Sequence, residues 1–212
     1  ETLGPRQRTV GETPSPSPLP RFTAGAPDSM GRCFAAPVWG PGDYNGALLM
    51  RIDNDLTPKV IQCDIHGHNG LAFSPDKRWM YTSDTPNGVI YRTPVDEQGE
   101  PGRREIFRQF KEGEGIPDGA AVDVEGCYWS ALFDGWRIAR FSPQGEQLEE
   151  YRLPVRCPTM VCFGGDDMKT LFITTTRENM DAEEVAEYPL SGAIFTLPVN
   201  VAGMKKSRFI ER

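Results

Sequence analysis

Long apolar runs are missing from this sequence. No stretch approaches the ~20 residues that cross a bilayer, and residues 1–20 lack the apolar core of a signal peptide. No membrane partner is expected. Basic clusters are missing as well: no Lys/Arg group exceeds three residues and the formal net charge is −7. A nucleic-acid backbone would be repelled, so nucleic acid is not an expected partner. Histidine is scarce, with only His66 and His68, and none of the five cysteines forms a Cys-x-x-Cys pair, which leaves little from which to build a zinc site. The odd cysteine count fits reduced core thiols and a cytoplasmic protein. There is no Walker loop, no Gly-x-Ser-x-Gly elbow, no His-Glu-x-x-His and no dinucleotide glycine fingerprint. Their absence removes the common nucleotide-binding, serine-hydrolase and zincin mechanisms.

What is present is ordinary in bulk and patterned in detail. The 212 residues suit one domain with a real core, and 25% charged with 38% hydrophobic residues is typical of a globular chain. Residues 1–20 stand apart. Ser and Pro alternate from Thr13 to Pro18 and apolar residues are few, which predicts a disordered, Pro/Ser-rich arm.

From Arg21 to Arg212 one theme recurs four times. Asp28-Ser-Met-Gly31-Arg-Cys-Phe34, Ser74-Pro75-Asp76-Lys-Arg-Trp-Met-Tyr81, Asp123-Val-Glu-Gly126-Cys-Tyr-Trp129 and Gly165-Asp166-Asp167-Met-Lys-Thr-Leu-Phe172 each pair a polar turn with an apolar strand. Each is followed by a second apolar strand opened by a glycine, at Gly46, Gly88, Gly135 and Gly192. Repeats of roughly 45 residues made of short, alternating strands point to blades of an all-β propeller. The stretch Asp181–Glu187 interrupts the last repeat and reads as a short helix stopped near Pro189.

Two turns gather the polar chemistry. His68-Asn69-Gly70-Leu71-Ala72-Phe73 and Ile116-Pro117-Asp118-Gly119-Ala120-Ala121 place an oxygen-bearing side chain before a glycine at equivalent points of neighbouring repeats. An amide oxygen and a carboxylate suit a hard divalent cation such as Ca²⁺ or Mg²⁺. Asn-Gly and Asp-Gly are also simply good turns, and spacing alone does not separate the two readings.

Those same residues resemble a known family. His68 to Asp76, Pro117-Asp118-Gly119 with Asp123-x-x-Gly126, Cys162-Phe163-Gly164-Gly165 and Leu190-Ser191-Gly192-Ala193-Ile194-Phe195 together resemble the C-terminal two thirds of the senescence-marker-protein/gluconolactonase (regucalcin-like) family. The resemblance implies a six-bladed lactonase-type propeller, of which four blades are recognisable here. It also implies one divalent cation (Ca²⁺, Zn²⁺, Mg²⁺ or Mn²⁺) and hydrolysis of sugar lactones. By the same resemblance Asn69 and Asp118 are metal ligands, and Asp118 is also the general base. Arg21, Thr23 and His68 fall where substrate is met. Departures are visible too: Thr23 and Ala24 stand where the family has Asn and Asp, and no Glu-Gly-Pro turn supplies the family's further ligand. A non-catalytic propeller that binds a cation, a small ligand or a protein is therefore the alternative. A WD-type scaffold lacks its Gly-His and Trp-Asp signatures. Four blades of a six-blade design also predict self-association through exposed blade edges.

Overall fold

Asp-x-x-Gly segments fold themselves. In Asp28–Gly31, Asp96–Gly99 and Asp123–Gly126 the carboxylate accepts the backbone N–H groups two and four residues ahead at 2.8–2.9 Å. The glycine completes each turn at a φ of +79°, +72° and +83°, a region open to glycine at no steric cost. Such turns join short strands into meanders.

The computed structural model describes residues 21–38 and 47–212. The arm expected at residues 1–20 lies outside the described residues. The first sheet is β1 (Arg21–Pro27), β2 (Cys33–Val38), β3 (Ala47–Ile52) and β4 (Pro58–Ile65). The second is β5 (His68–Phe73), β6 (Trp79–Asp84), β7 (Val89–Pro94) and β8 (Glu105–Gln109). The third is β9 (Ile116–Val122), β10 (Tyr128–Phe133), β11 (Arg137–Phe141) and β12 (Gln147–Arg152). The fourth has three strands: β13 (Pro158–Gly164), β14 (Thr170–Thr175) and β15 (Ile194–Pro198). All pairings are antiparallel. The first strands β1, β5, β9 and β13 touch in that order, as the inner strands of four successive propeller blades do. The all-β propeller expected from the repeats is therefore found. Among the described residues one helix, α1 (Ala182–Glu187), forms where the insertion predicted it, its N-terminus capped by the Asp181 carboxylate accepting from the Glu184 amide. Among the described residues no helix is long and apolar enough to cross a membrane.

The core lies between blades, and that changes how the strands should be read. Phe34, Leu49, Leu71 and Met80 fill the first interface. Ala72, Tyr81, Phe107, Ala120, Val122 and Tyr128 belong to the second. Ala121, Trp129, Ala131, Val161 and Leu171 belong to the third. Successive residues such as Tyr128 and Trp129 thus serve opposite interfaces, because side chains alternate across a strand. The middle strands are buried on both faces, so Tyr128 to Leu132 is continuously buried instead of alternating in polarity. Tyr81, Phe107 and Tyr128 meet with ring centroids 5.0–5.9 Å apart.

Adjacent blades are also tied by charge. Arg32 of the first blade pairs with Asp28 at 2.6 Å and donates to the Gly99 carbonyl of the second blade, also at 2.6 Å. Arg51 reaches Glu100 at 2.8 Å. Arg92 donates to the Pro143 carbonyl of the third blade at 2.8 Å while lying over Trp79. Beyond Val199 the chain crosses the end of the blades where the inner strands finish. It bonds to Met168, Val122, Gly31 and Asn54 in turn, through the amides of Gly203, Met204, Ile210 and Arg212.

Candidate functional site

Every inner strand carries one extra residue near its beginning. In β1 Phe22 pairs with Pro37 and Ala24 with Ala36, so Thr23 bulges out. In β5 Gly70 and Leu71 together oppose Thr82. In β9 Asp118 and Gly119 together oppose Ala131. In β13 Thr159 has no partner between Pro158 and Met160. Four β-bulges thus line up at the same end of four neighbouring strands. A bulge breaks the ladder locally and re-aims a side chain, a device recurrent beside active sites. The Asn-Gly and Asp-Gly pairs read as turns ahead of the inner strands are instead bulges within them. The strands begin at His68 and Ile116.

The glycines are there because backbones meet. Gly70 has a φ of +56°, and a Cβ on it would overlap the Tyr128 hydroxyl and the Ser83 Oγ and approach the Asp118 carbonyl oxygen to 3.1 Å. A Cβ on Gly119 would overlap Met160 and come within 2.6 Å of the Thr159 carbonyl oxygen. Asn69 of β5 and Asp118 of β9 are therefore carried on strands pressed together at their bulges. The Tyr128 hydroxyl donates to the Gly70 carbonyl at 2.7 Å, and Thr85 bridges the strands by bonding to both Asn69 and the Pro117 carbonyl.

The electrostatics single out Asp118. It is half-buried, and its proton affinity is pushed up to about 7, first by burial, then by the negative charge of Glu178, against one backbone N–H from Gly119. The Asn69 side chain donates to Thr85, and its Oδ1 accepts nothing among the described residues. An amide oxygen short of donors and a carboxylate with a single one are the kinds of hard oxygen that suit a divalent cation. His68 begins β5 beside Asn69, opposite Asp84, with 1% exposure. Arg21 and Thr23 lie in β1, Thr23 at its bulge, and their side chains are outside the described residues.

Three contributors escape a reading by sequence. Thr159 occupies the fourth bulge without an Asn-Gly or Asp-Gly signature. Glu178 sits sixty positions from Asp118 in sequence, on the segment after β14 that Arg156 pins through the Asn179 carbonyl. Thr85 follows β6 and carries no motif.

Two other features are not this site. Asp123, Glu125 and Cys127 place potential ligand atoms within 4.8 Å of one another at the opposite end of β9. There Asp123 already accepts from the amides of Glu125 and Cys127, from the Trp129 indole and from Arg140. That carboxylate is saturated by donors, and Arg140 supplies the positive charge. Arg140 is itself buried. A cavity of about 340 Å³, lined by Ala26, Leu71, Ala120, Ala121, Met168 and Met204 among others, also lies toward that far end. Its wall is mainly apolar, without the carboxylate and amide of the bulges.

Comparison with known proteins converges on one family. The family model described as the SMP-30/Gluconolactonase/LRE-like region matches residues 5–177, beginning inside the segment read as an arm. A 6-deoxy-6-sulfogluconolactonase of Pseudomonas putida is 51% identical over 201 residues, covering 94% of this chain and 69% of that protein. A pentonolactonase of Haloferax volcanii is 30% identical over 210 residues, 97% of this chain and 70% of that one. The crystal structure of a calcium-binding protein, regucalcin, from Agrobacterium tumefaciens superposes with a TM-score of 0.84 at 25% identity, covering 89% of this chain and 64% of that one. The chain thus spans about two thirds of the length of the relatives it matches.

Proposed function

We propose that this chain, which belongs to the SMP-30/gluconolactonase/LRE-like family, opens sugar lactones by hydrolysis with one divalent cation held between Asn69 and Asp118. The observation that carries the reading is the pair of adjoining bulges, which present an under-bonded amide oxygen and a carboxylate of raised proton affinity. When bound, the cation supplies positive charge toward the lactone carbonyl oxygen. Asp118 takes a proton from the attacking water as the water oxygen bonds to the carbonyl carbon. The ring carbon–oxygen bond then breaks, the ring oxygen takes up a proton, and a hydroxy acid leaves. Arg21 and Thr23 at the β1 bulge and His68 beside Asn69 are the proposed substrate contacts.

The relatives' names favour lactonase over a non-catalytic binding propeller. Because of the P. putida relative, a sulfonated gluconolactone is the first substrate to test, with glucono-lactone beside it. Free thiols at Cys33, Cys127, Cys157 and Cys162 support a reducing compartment, the cytoplasm. The experiment is acid release from each lactone with and without EDTA. Turnover above the spontaneous rate, lost in EDTA and restored by added cation, is expected. Cation binding without turnover would select the binding module and refute the hydrolase.

A further inference from the structure

We infer that Thr85 is a positioning residue that fixes which way the Asn69 amide faces, turning its oxygen toward the cation. The geometry is a two-bond relay. The Thr85 Oγ1 lies 2.7 Å from the Pro117 carbonyl oxygen and 3.2 Å from the Asn69 Nδ2. A carbonyl oxygen only accepts, so the single hydroxyl proton of Thr85 is committed to Pro117. The hydroxyl oxygen can then only accept, and the Asn69 group facing it must be the NH₂. The amide oxygen is left on the other side. The orientation of an Asn side chain is ordinarily ambiguous, and here the proton count of its neighbour resolves it.

The relay also joins two blades. Thr85 follows β6 of the second blade, and Pro117 precedes Asp118 in β9 of the third. One hydroxyl therefore couples the aim of one proposed ligand to the backbone that carries the other. Outer partners of this kind hold ligand orientation and tune affinity, and losing one costs about 10–100-fold in metal affinity. Thr85 bears on the chemistry only if Asn69 holds a cation, as proposed above.

The test is calorimetric titration of the full chain with Ca²⁺, Mg²⁺, Mn²⁺ and Zn²⁺ in wild type, Thr85→Val and Thr85→Ser. Thr85→Val keeps the shape and loses the hydroxyl; about tenfold weaker binding is expected, the low end of that range. Thr85→Ser should bind within about twofold of wild type, since it retains the hydroxyl. In an Asn69→Asp background the side chain has no N–H to give, so Thr85→Val should no longer weaken binding. Equal weakening in both backgrounds, or none in either, would overturn the inference. The amide orientation is read separately by NMR, from the Asn69 side-chain NH₂ resonances and their hydrogen exchange. These should shift and lose protection in Thr85→Val and be retained in Thr85→Ser. If wild type binds none of the four cations while these resonances still answer to Thr85, the cation reading fails and the positioning role stands. If they do not respond to Thr85→Val, the positioning role is refuted whatever the cation does.

Discussion

Strand β9 has an aspartate at each end, and the two have opposite environments. Asp123, just past the strand's last residue, is fully buried and accepts four donors, among them the Arg140 guanidinium at 2.9 Å. Asp118, near the strand's start, is half-buried, accepts one backbone N–H and faces the like charge of Glu178. Burial of a carboxylate is tolerated when donors replace water. Asp123 meets that condition and serves the fold; Asp118 does not, and is left with capacity for something else. Donor count, more than residue type or burial, separates the structural carboxylate from the one proposed to act on substrate.

Removing each group should expose the contrast most sharply. Asp123→Ala takes a buried partner from the Arg140 guanidinium and leaves the Trp129 indole N–H and two turn amides without their acceptor. Breaking a buried pair costs about 3–5 kcal/mol, and the low end is expected because Arg140 keeps Glu125 and Glu149. At roughly 2–4 °C per kcal/mol for a chain of this size, thermal unfolding should begin about 10 °C earlier. A loss under about 1 kcal/mol would remove Asp123 from the structural side of the comparison. Asp118→Asn should do the reverse. Lactone hydrolysis should fall about 10²–10⁴-fold, the usual worth of a positioned base, with no loss of melting temperature at neutral pH. Early melting of this variant would mean that Asp118 is structural too.

Acidity sharpens the comparison further. Burial, with help from Glu178, raises the folded-state proton affinity of Asp118 to about 7, against about 3.9 in an unfolded chain. The folded state therefore holds this proton more tightly. With chelator present, stability is greatest below about pH 4 for this group and is lost as pH rises toward about 7. The difference in melting temperature between wild type and Asp118→Asn should grow over that window, with wild type the less stable at its upper end. A flat difference would show that ionising Asp118 carries no cost. The smallest effect is expected from Glu178→Gln, which removes only the secondary cause. The same pH series should move part of the way back toward the ordinary carboxylate range, and movement in the other direction would contradict a like-charge role for Glu178.

Much of the fold was legible because its signals are local. Asp28, Asp96 and Asp123 fold their own turns with amides no more than four residues away, and Asp181 caps its own helix. The site was legible only where a bulge left a local mark, as in Asn69-Gly70 and Asp118-Gly119. Even there the sequence suggested turns, because a glycine at positive φ looks the same in a hairpin and in a bulged strand. Thr159 bulges by register with its neighbour, and Glu178 meets Asp118 across two blades. Arg140 carries no local mark of its burial, because its partner Asp123 lies seventeen residues earlier. Trp136 packs edge-on against Tyr188 at a centroid distance of 4.8 Å, beside α1, a partner fifty-two positions away that no local pattern marks.

The terminal strap across the far end of the blades has a kinetic meaning. The Asn54 side chain donates to the Ile210 carbonyl across 156 positions, whereas each meander closes over short spans. Closing a long loop costs entropy before any contact rewards it, and Gly31 and Asn54 offer the strap no landing place until the first blade exists. Blade formation should therefore precede docking of residues 203–212. Until docking, the ends of the inner strands farthest from the bulges lie uncovered, and afterwards the strap crosses them.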